Sequence, residues 1–126
     1  FSILMIPVSG GHGMFRGGML QEVTLRNDTG SPMTVLSMAN RTEFPAPGYN
    51  DGHPGTLREH RINDKIIHPK GAHTLQPADT ITLVQAGGGG IGDPAERSKE
   101  KVKRDLSLGL ISEQAAASHY GYKMSK

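Results

Sequence analysis

The chain has 126 residues, of which 17 are Gly and 8 are Pro, while hydrophobic residues make up 35% and Cys is absent. This length corresponds to one small domain, and the composition excludes a disulfide scaffold, a Cys-based zinc finger, a collagen-like repeat and a coiled coil. A formal net charge of +2 predicts no strongly charged partner. Because so few apolar residues give a domain of this size a thin core, we expect a partner to complete it.

The first half of the chain predicts three strands separated by glycine- and proline-rich segments. Residues 1–8 form a short apolar run with Pro7 near its end, as in an edge strand. Val23 and Leu25 alternate with polar residues within 19–27, and a turn then leads to a strand over 33–39. A loop with five glycines lies before the second strand, and a long irregular loop of the functional kind covers 40–56.

The second half predicts a hairpin, a further strand and two helices. Residues 58–62 and 65–68 flank Asn63-Asp64 as in a hairpin, and residues 80–86 alternate as a strand. Asp93-Pro94 and Ser98 are helix-start signals, and Ser112 starts a second helix. We therefore expect a mainly β (α+β) fold. A compact β-sandwich or barrel-like body over residues 1–92 is followed, in the same domain, by a C-terminal helical hairpin over 93–126.

The glycines after the last predicted strand formally match a dinucleotide-binding fingerprint, Gly87-x-Gly89-x-x-Gly92. Pro94 follows at once, and no second βαβ strand supplies a ribose-binding acid, so the context disfavours nucleotide binding. A bare backbone that lets another surface approach closely is the better interpretation. Its amides are also able to form an anion-holding nest.

Histidines and one arginine are further candidates for chemistry. Four histidines fall close together in the sequence: His53, His60, His68 and His73. Imidazoles bind metals, but this spacing fits no metal motif, and solvent-facing or loop-capping histidines are the simpler interpretation. His12 lies between glycines, in a loop that is able to serve a shared site. Arg16 meets an oxyanion or a partner carboxylate, or else it forms a salt bridge that pins the loop.

The basic stretch at 97–104 reads Arg-Ser-Lys-Glu-Lys-Val-Lys-Arg. A solvated helix exterior explains it better than a nucleic-acid interface, because no aromatic residues are interleaved for base stacking. The apolar run at 1–8 is too short to span a bilayer and no basic segment precedes it. With no cysteine to oxidise, we expect a cytoplasmic protein without nucleic-acid or membrane partners.

Three stretches form a distinctive ordered set: Ser9-Gly-Gly-x-Gly-x-Phe-Arg-Gly-Gly18, Gly87-Gly-Gly-Gly-Ile-Gly-Asp-Pro94 and Gly109-Leu-Ile-Ser-x-x-Ala-Ala-x-x-x-Tyr-Gly121. Between them stand Asn40-Arg41…Phe44-Pro45…Gly48…Gly52-His-Pro-Gly55 and Pro69-Lys-Gly…Leu75-x-Pro-x-Asp79. Over nearly the whole chain, this order resembles the C-terminal portion of the hydantoinase B / 5-oxoprolinase family, which includes the acetone and acetophenone carboxylases.

The resemblance implies ATP-dependent chemistry on a carbonyl group. In family complexes ATP is bound by a hydantoinase A-type chain, which phosphorylates the substrate. The B-type chain then completes hydrolysis of a lactam or hydantoin ring, or carboxylation of a ketone. A free-standing chain of this size is most similar to the small (beta) subunit of acetophenone carboxylase.

The implied role is a small non-catalytic or accessory subunit of a ketone carboxylase hetero-oligomer. Its partners would be larger hydantoinase B-type and A-type subunits, which hold the ATP and a divalent metal, and no cofactor is expected in this chain. The resemblance carries over no catalytic residue and no metal ligand. Asn40-Arg41-Thr42-Glu43 replaces an Asp followed by several Arg, and Ile91 replaces a common aromatic. The candidate binding or partner-contact residues are His12, Arg16, Gly17, Gly18, Arg41, Gly87, Gly88, Gly89 and Gly90.

Three alternatives stay open. The first is that the chain is the C-terminal part of an ATP-dependent hydantoinase or 5-oxoprolinase-type amide hydrolase. The second is a small metal-dependent β-barrel enzyme that uses the histidines between residues 53 and 73. The third alternative is a basic-helix adaptor for nucleic acid, which predicts salt-sensitive binding.

Overall fold

The computed structural model of the chain describes residues 1–123, in which seven strands precede two helices. The strands are β1 (Ser2–Met5), β2 (Gln21–Arg26), β3 (Met33–Met38), β4 (Glu59–Ile62), β5 (Lys65–Ile66), β6 (Lys70–Leu75) and β7 (Thr80–Val84). The helices are α1 (Lys99–Ser107) and α2 (Glu113–Tyr120), and a 3₁₀ turn at Pro94–Glu96 precedes them. The prediction of a mainly β chain with helices at its C-terminal end is confirmed.

The strands form two antiparallel sheets. Five strands pair in the order β1-β2-β7-β4-β5, and β3 pairs with β6 in a separate two-stranded ribbon. Within the described residues neither sheet closes into a barrel. Of the two predicted alternatives for the body, a sandwich therefore describes these sheets better than a barrel. The register aligns Ile3, Val23, Leu83 and His60 on one face of the larger sheet, because paired residues of antiparallel strands share a face.

A buried polar pair connects the two sheets. The side chains of Ser37 in β3 and His60 in β4 lie 2.8 Å apart, and the Ser37 hydroxyl also donates to the carbonyl of Pro69 at 2.8 Å. Leu75 and Ile81 supply buried apolar side chains, one from each sheet. Burial lowers the pKa of His60, and the nearby Arg58 and His73 lower it further. A neutral His60 is therefore a structural partner of Ser37 at neutral pH.

The predicted hairpin is present, with Asn63 and Asp64 at φ values of 47° and 65°. Two consecutive residues in the left-handed region are what a type I′ turn requires. Its second strand ends at Ile66, earlier than expected. The sequence pattern predicted no strand at β6, because Gly71, Ala72 and His73 show no apolar alternation.

The helical end has its own small core. Asp93 accepts a hydrogen bond from the Ala95 amide at 2.9 Å, but this cap opens only the 3₁₀ turn, and α1 begins after Ser98. Ser112 caps α2 through the Ala115 amide at 3.0 Å, and Gly121 ends it at φ 60°. The buried apolar cluster contains Val102, Ile111, Ala115, Ala116 and Tyr120.

Of the helical segment expected over 93–126, residues 124–126 lie outside the described residues. Between residues 1 and 123, each helix is too short and too polar to cross a bilayer.

Candidate functional site

Three extended segments pack side by side between the sheets and the helices, and we call residues 9–18, 46–56 and 87–92 the glycine bundle. The amide of Gly11 donates to the carbonyl of Gly88 at 2.8 Å, and the amide of His53 donates to the carbonyl of His12 at 2.7 Å. The amide of Gly90 donates to the carbonyl of His53 at 2.9 Å. Each segment is therefore joined to both others by backbone hydrogen bonds, with little regular strand or helix.

Missing side chains make this close backbone packing possible. A Cβ on Gly17 would overlap the carbonyl of Gly88, and a Cβ on Gly90 would overlap the carbonyl of His12. Collagen shows the same physical constraint, because only glycine fits where backbones crowd at an axis. The bare backbone predicted for residues 87–90 thus meets other segments of this same chain.

A buried ion-pair triad joins the first segment of the bundle to α1. Asp105 has only 4% of its surface exposed. Its carboxylate accepts from Arg16 Nε at 3.2 Å and from an Arg97 Nη at 3.0 Å. Arg97 also donates to the Met14 carbonyl at 2.9 Å. Because two guanidiniums share one buried carboxylate, the triad carries a net positive charge that solvent screens poorly.

A cluster of three histidines and a tyrosine also contacts the bundle. The rings of His12 and His119 stack with centroids 4.2 Å apart, and the His53 ring lies edge-on to both, at 5.7 and 5.2 Å. The phenol of Tyr120 lies 2.9 Å from His12 Nδ1. Burial raises the pKa of Tyr120, so the phenol is protonated at neutral pH and donates to His12.

The surroundings of His12 disfavour its protonated form. Burial lowers the pKa of His12 to about 4, and His119, His53 and Arg16 add positive charge that acts in the same direction. His12 is therefore a neutral hydrogen-bond acceptor near pH 7, held in one tautomer by Tyr120.

The histidines that lie close together in the sequence do not form one site. His53 joins the cluster around His12, whereas His60 is buried between the sheets. His68 and His73 make hydrogen bonds to backbone carbonyls, from His68 Nδ1 to Lys70 and from His73 Nε2 to His68. In the part of the chain that the structure describes, no group of three or more His, Cys, Asp or Glu residues is arranged to hold a metal ion.

The other sequence candidates lie in different environments. Gly18 has open space where a Cβ would stand. Gly87, Gly88 and Gly89 face backbone of the neighbouring segments, and the Gly87 amide donates to the Thr56 hydroxyl at 3.1 Å. Arg41 is exposed, has a φ of 62° and lines a separate cleft with Gln85.

The basic stretch at 97–104 is divided by the fold. The side chain of Arg97 is only 9% exposed and binds Asp105, whereas Lys101 and Arg104 remain exposed. A continuous basic helix face is therefore not formed by this stretch.

Asp105, Arg97, His119 and Tyr120 are the residues that sequence reasoning did not connect with the site. Asp105 lies 89 positions from Arg16, and Tyr120 lies 108 positions from His12. The one available signal was an acidic residue at 105 on the apolar side of α1, next to Leu106 and one turn from Val102. Chemically, the arrangement offers a positively charged triad and a neutral imidazole, both held by hydrogen bonds.

The family profile and the sequence relatives of this chain agree with each other. The profile of the hydantoinase B/oxoprolinase family matches residues 3–94. The beta subunit of caprolactamase from Pseudomonas jessenii is 32% identical over 123 residues, which cover 90% of this chain and 21% of that protein. The B-type subunit of a putative D-/L-hydantoinase from Pseudomonas sp. (strain NS671) is 31% identical over 118 residues, covering 86% of this chain and 19% of that protein. The chain thus spans about a fifth of the length of these curated relatives.

Two solved structures share the fold. The ATP-dependent caprolactamase from Pseudomonas jessenii aligns with a TM-score of 0.72 at 24% identity, over 98% of this chain and 23% of that one. The nucleotide-free acetone carboxylase aligns with a TM-score of 0.70 at 19% identity, over 99% of this chain and 21% of that one.

Proposed function

Because the chain belongs to the hydantoinase B/oxoprolinase family, we propose that it is a non-catalytic part of the B-type half of an ATP-dependent enzyme complex. It completes a larger hydantoinase B-type unit and works together with an ATP-binding A-type subunit. ATP and a divalent metal are held by those partners. The two parts of the chain, residues 1–92 and 93–126, act as one domain, and the contact of Arg16 with Asp105 in α1 supports this.

The apolar surface of the sheets carries this proposal. All four residues of β1 are exposed, although three of them are Ile3, Leu4 and Met5. On the ribbon, Leu36 is 75% exposed and Met38 is 86% exposed. Both lie on the outer face, because Ser37 between them faces His60. Exposed apolar residues in such number mark a surface that another protein covers.

The free edge of β1 adds a second means of attachment. Among the described strands β1 pairs only with β2, so its other backbone edge is open to a further strand. An incoming strand would satisfy these backbone groups and cover the exposed side chains of Ile3 and Leu4 at the same time. The remainder of a B-type unit is the proposed occupant, because this chain spans about a fifth of the curated relatives.

For the reaction, we propose carboxylation of a ketone, in an assembly like that of acetophenone carboxylase. The fold is compatible with this choice, because acetone carboxylase shares it, but caprolactamase shares it equally. Hydrolysis of a cyclic amide is the second candidate. The sequence relatives above 30% identity favour it, because they are named as caprolactamase and hydantoinase subunits.

Substrate-dependent ATP hydrolysis by the purified complex distinguishes the two reactions. The chain is purified with every subunit that accompanies it and is supplied with Mg²⁺ and ATP. Acetophenone or acetone with bicarbonate should stimulate ATP hydrolysis, whereas caprolactam, hydantoin and 5-oxoproline should not. Stimulation by a cyclic amide alone supports the second candidate and refutes the first. Purification of an active complex that lacks this chain refutes the accessory role.

Substitutions on the ribbon test the proposed interface. Leu36→Ser combined with Met38→Ser should reduce the amount of larger subunit recovered with the chain roughly fivefold or more, because both side chains lose their apolar contact. Thr34→Ser lies on the same outer face and is the matched control, with recovery unchanged. Equal recovery from both variants would show that this face is not the interface.

A further inference from the structure

A cleft of about 370 Å³ lies between the glycine bundle and α1. Four cationic side chains line it: Arg16, Arg97, Lys101 and Arg104. Phe15, Leu108 and Leu110 form its apolar part. We propose that this cleft binds a phosphate ester, with the phosphoryl group among the cations and the organic group against the apolar residues. This assignment is independent of the reaction proposed above.

The charge balance of the cleft indicates an anion with more than one negative charge. Asp105 is the single carboxylate in the lining, and it neutralises one of the four cations. A net charge of three positive units therefore remains, shared between the buried triad and the exposed side chains of Lys101 and Arg104, and the cleft attracts anions. A second carboxylate would neutralise only one of them. A phosphate monoester, with a charge near −2 above pH 7, matches the cleft more closely.

Asp105 also positions the two buried guanidiniums for an anion. Arg16 uses Nε and Nη2 on Asp105 and Nη1 on the Gly17 carbonyl. Arg97 uses one Nη on Asp105 and the other on the Met14 carbonyl, while its buried Nε has no hydrogen-bond partner among the described residues. Each guanidinium carries five N–H donors, so both side chains, which line the cleft, retain donors that no protein group uses.

Lys101 and Arg104 supply exposed positive charge at the cleft. They are three residues apart in α1 and therefore lie on the same side of the helix. The Lys101 ammonium lies 5.3 Å from the centroid of the Phe15 ring. A cation at this distance is attracted to the ring face, which holds Lys101 over the cleft.

The apolar part explains why an ester fits better than inorganic phosphate. Phe15 is 52% exposed and Leu108 is 59% exposed, although both lie beside charged residues. An organic group attached to the phosphate would cover these two side chains and remove apolar surface from water.

Isothermal titration calorimetry with phenyl phosphate and with inorganic phosphate tests the site. The protein is purified with any accompanying subunits, at about pH 8 and about 0.1 M NaCl, so that both probes are dianions. We expect a dissociation constant for phenyl phosphate below about 1 mM. Lys101→Gln and Arg104→Gln should each weaken it roughly fivefold. Lys103→Gln is the matched control on the same helix outside the cleft, and it should change the constant less than about twofold.

The comparison between variants identifies the cleft, because an ATP-binding partner would bind phosphate elsewhere. If Lys103→Gln weakens the binding of phenyl phosphate as much as Lys101→Gln does, the binding results from the general surface charge of the protein and the proposed site is wrong. A dissociation constant for phenyl phosphate above about 1 mM would overturn it as well. Leu108→Ala should remove most of the preference for phenyl phosphate over inorganic phosphate. A preference that survives Leu108→Ala, or the absence of any preference in the unaltered protein, would refute the assignment of an ester.

Discussion

The glycine bundle and the β3–β6 ribbon show two opposite solutions for a chain with few apolar residues. In the bundle, backbones lie so close together that Gly17 and Gly90 have no room for a Cβ. In the ribbon, Leu36 and Met38 extend into solvent without contacts that bury them. The backbone packing of the bundle is therefore supplied by this chain itself, whereas the apolar outer face of the ribbon is uncovered.

The low hydrophobic content therefore does not mean that the whole molecule lacks a packed interior. Backbone hydrogen bonds between segments 9–18, 46–56 and 87–92 replace side-chain burial over a large part of the molecule. A satisfied buried amide contributes about 1 kcal/mol net, and an unsatisfied one costs more. The bundle can thus be ordered with few buried apolar side chains, although Phe15, Tyr49 and Ile91 remain exposed at its surface.

Adding one methyl group to the bundle should have the largest effect. Gly17→Ala places a Cβ on the carbonyl of Gly88, and neither backbone is able to move without breaking its hydrogen bonds. We expect a loss of about 4 kcal/mol or more in the free energy of unfolding, or a failure to fold. Urea denaturation measures the change.

The neighbouring glycine is the matched control for this substitution. Gly18 has no atom within 4 Å of the position of a Cβ, so Gly18→Ala should change the free energy of unfolding by no more than about 0.5 kcal/mol. If the two alanine variants have similar stabilities, the segments are not packed backbone on backbone, and the contrast with the ribbon fails.

Removing the buried carboxylate should have the next largest effect. Asp105→Asn leaves Arg16 and Arg97 as buried cations without a counter-charge. We expect a loss of about 3 kcal/mol in the free energy of unfolding, measured by urea denaturation. The control is Asp28→Asn, which removes an exposed ion pair with Arg26 at 2.6 Å and should cost no more than about 1 kcal/mol. A small loss for Asp105→Asn would mean that the triad does not join the bundle to α1.

The strands and helices were largely predictable because their signals are local. Alternating Val23 and Leu25 predicted β2, Asn63-Asp64 predicted the hairpin, and Ser112 predicted the start of α2. The misses were local as well. β6 lacks an alternating apolar pattern, and the Asp93 cap opens a 3₁₀ turn instead of α1.

The site could not be predicted in the same way, because its contacts join distant parts of the chain. The glycines predicted a close approach, but they did not identify the approaching segments. Asp105 binds Arg16 across 89 positions, and His12 meets Tyr120 across 108 positions. No periodicity or spacing rule connects such residues, so only the fold brings the histidine cluster together.

Acidification should produce the smallest of these effects, through His12 in that cluster. The pKa of His12 is lowered from 6.5 to about 4 by burial, with His119, His53 and Arg16 acting in the same direction. Between about pH 6.5 and pH 4 the unfolded chain therefore binds more protons than the folded chain, and the stability from His12 is lost as the pH falls. Since His12 is partly exposed, we expect a loss of the order of 1 kcal/mol.

Urea denaturation from about pH 7 to about pH 4 checks this expectation, with His12→Gln as the test variant. That variant should lose less stability on acidification than the unaltered protein, because the neutral amide has no proton to gain. His68→Gln alters a histidine outside the cluster, which contacts the Lys70 backbone, and it leaves the contribution of His12 in place. If the free energy of unfolding depends on pH identically in all three proteins, the bundle does not bury His12. The glycine bundle would then be packed less tightly than its contacts indicate, and its contrast with the β3–β6 ribbon would be weaker.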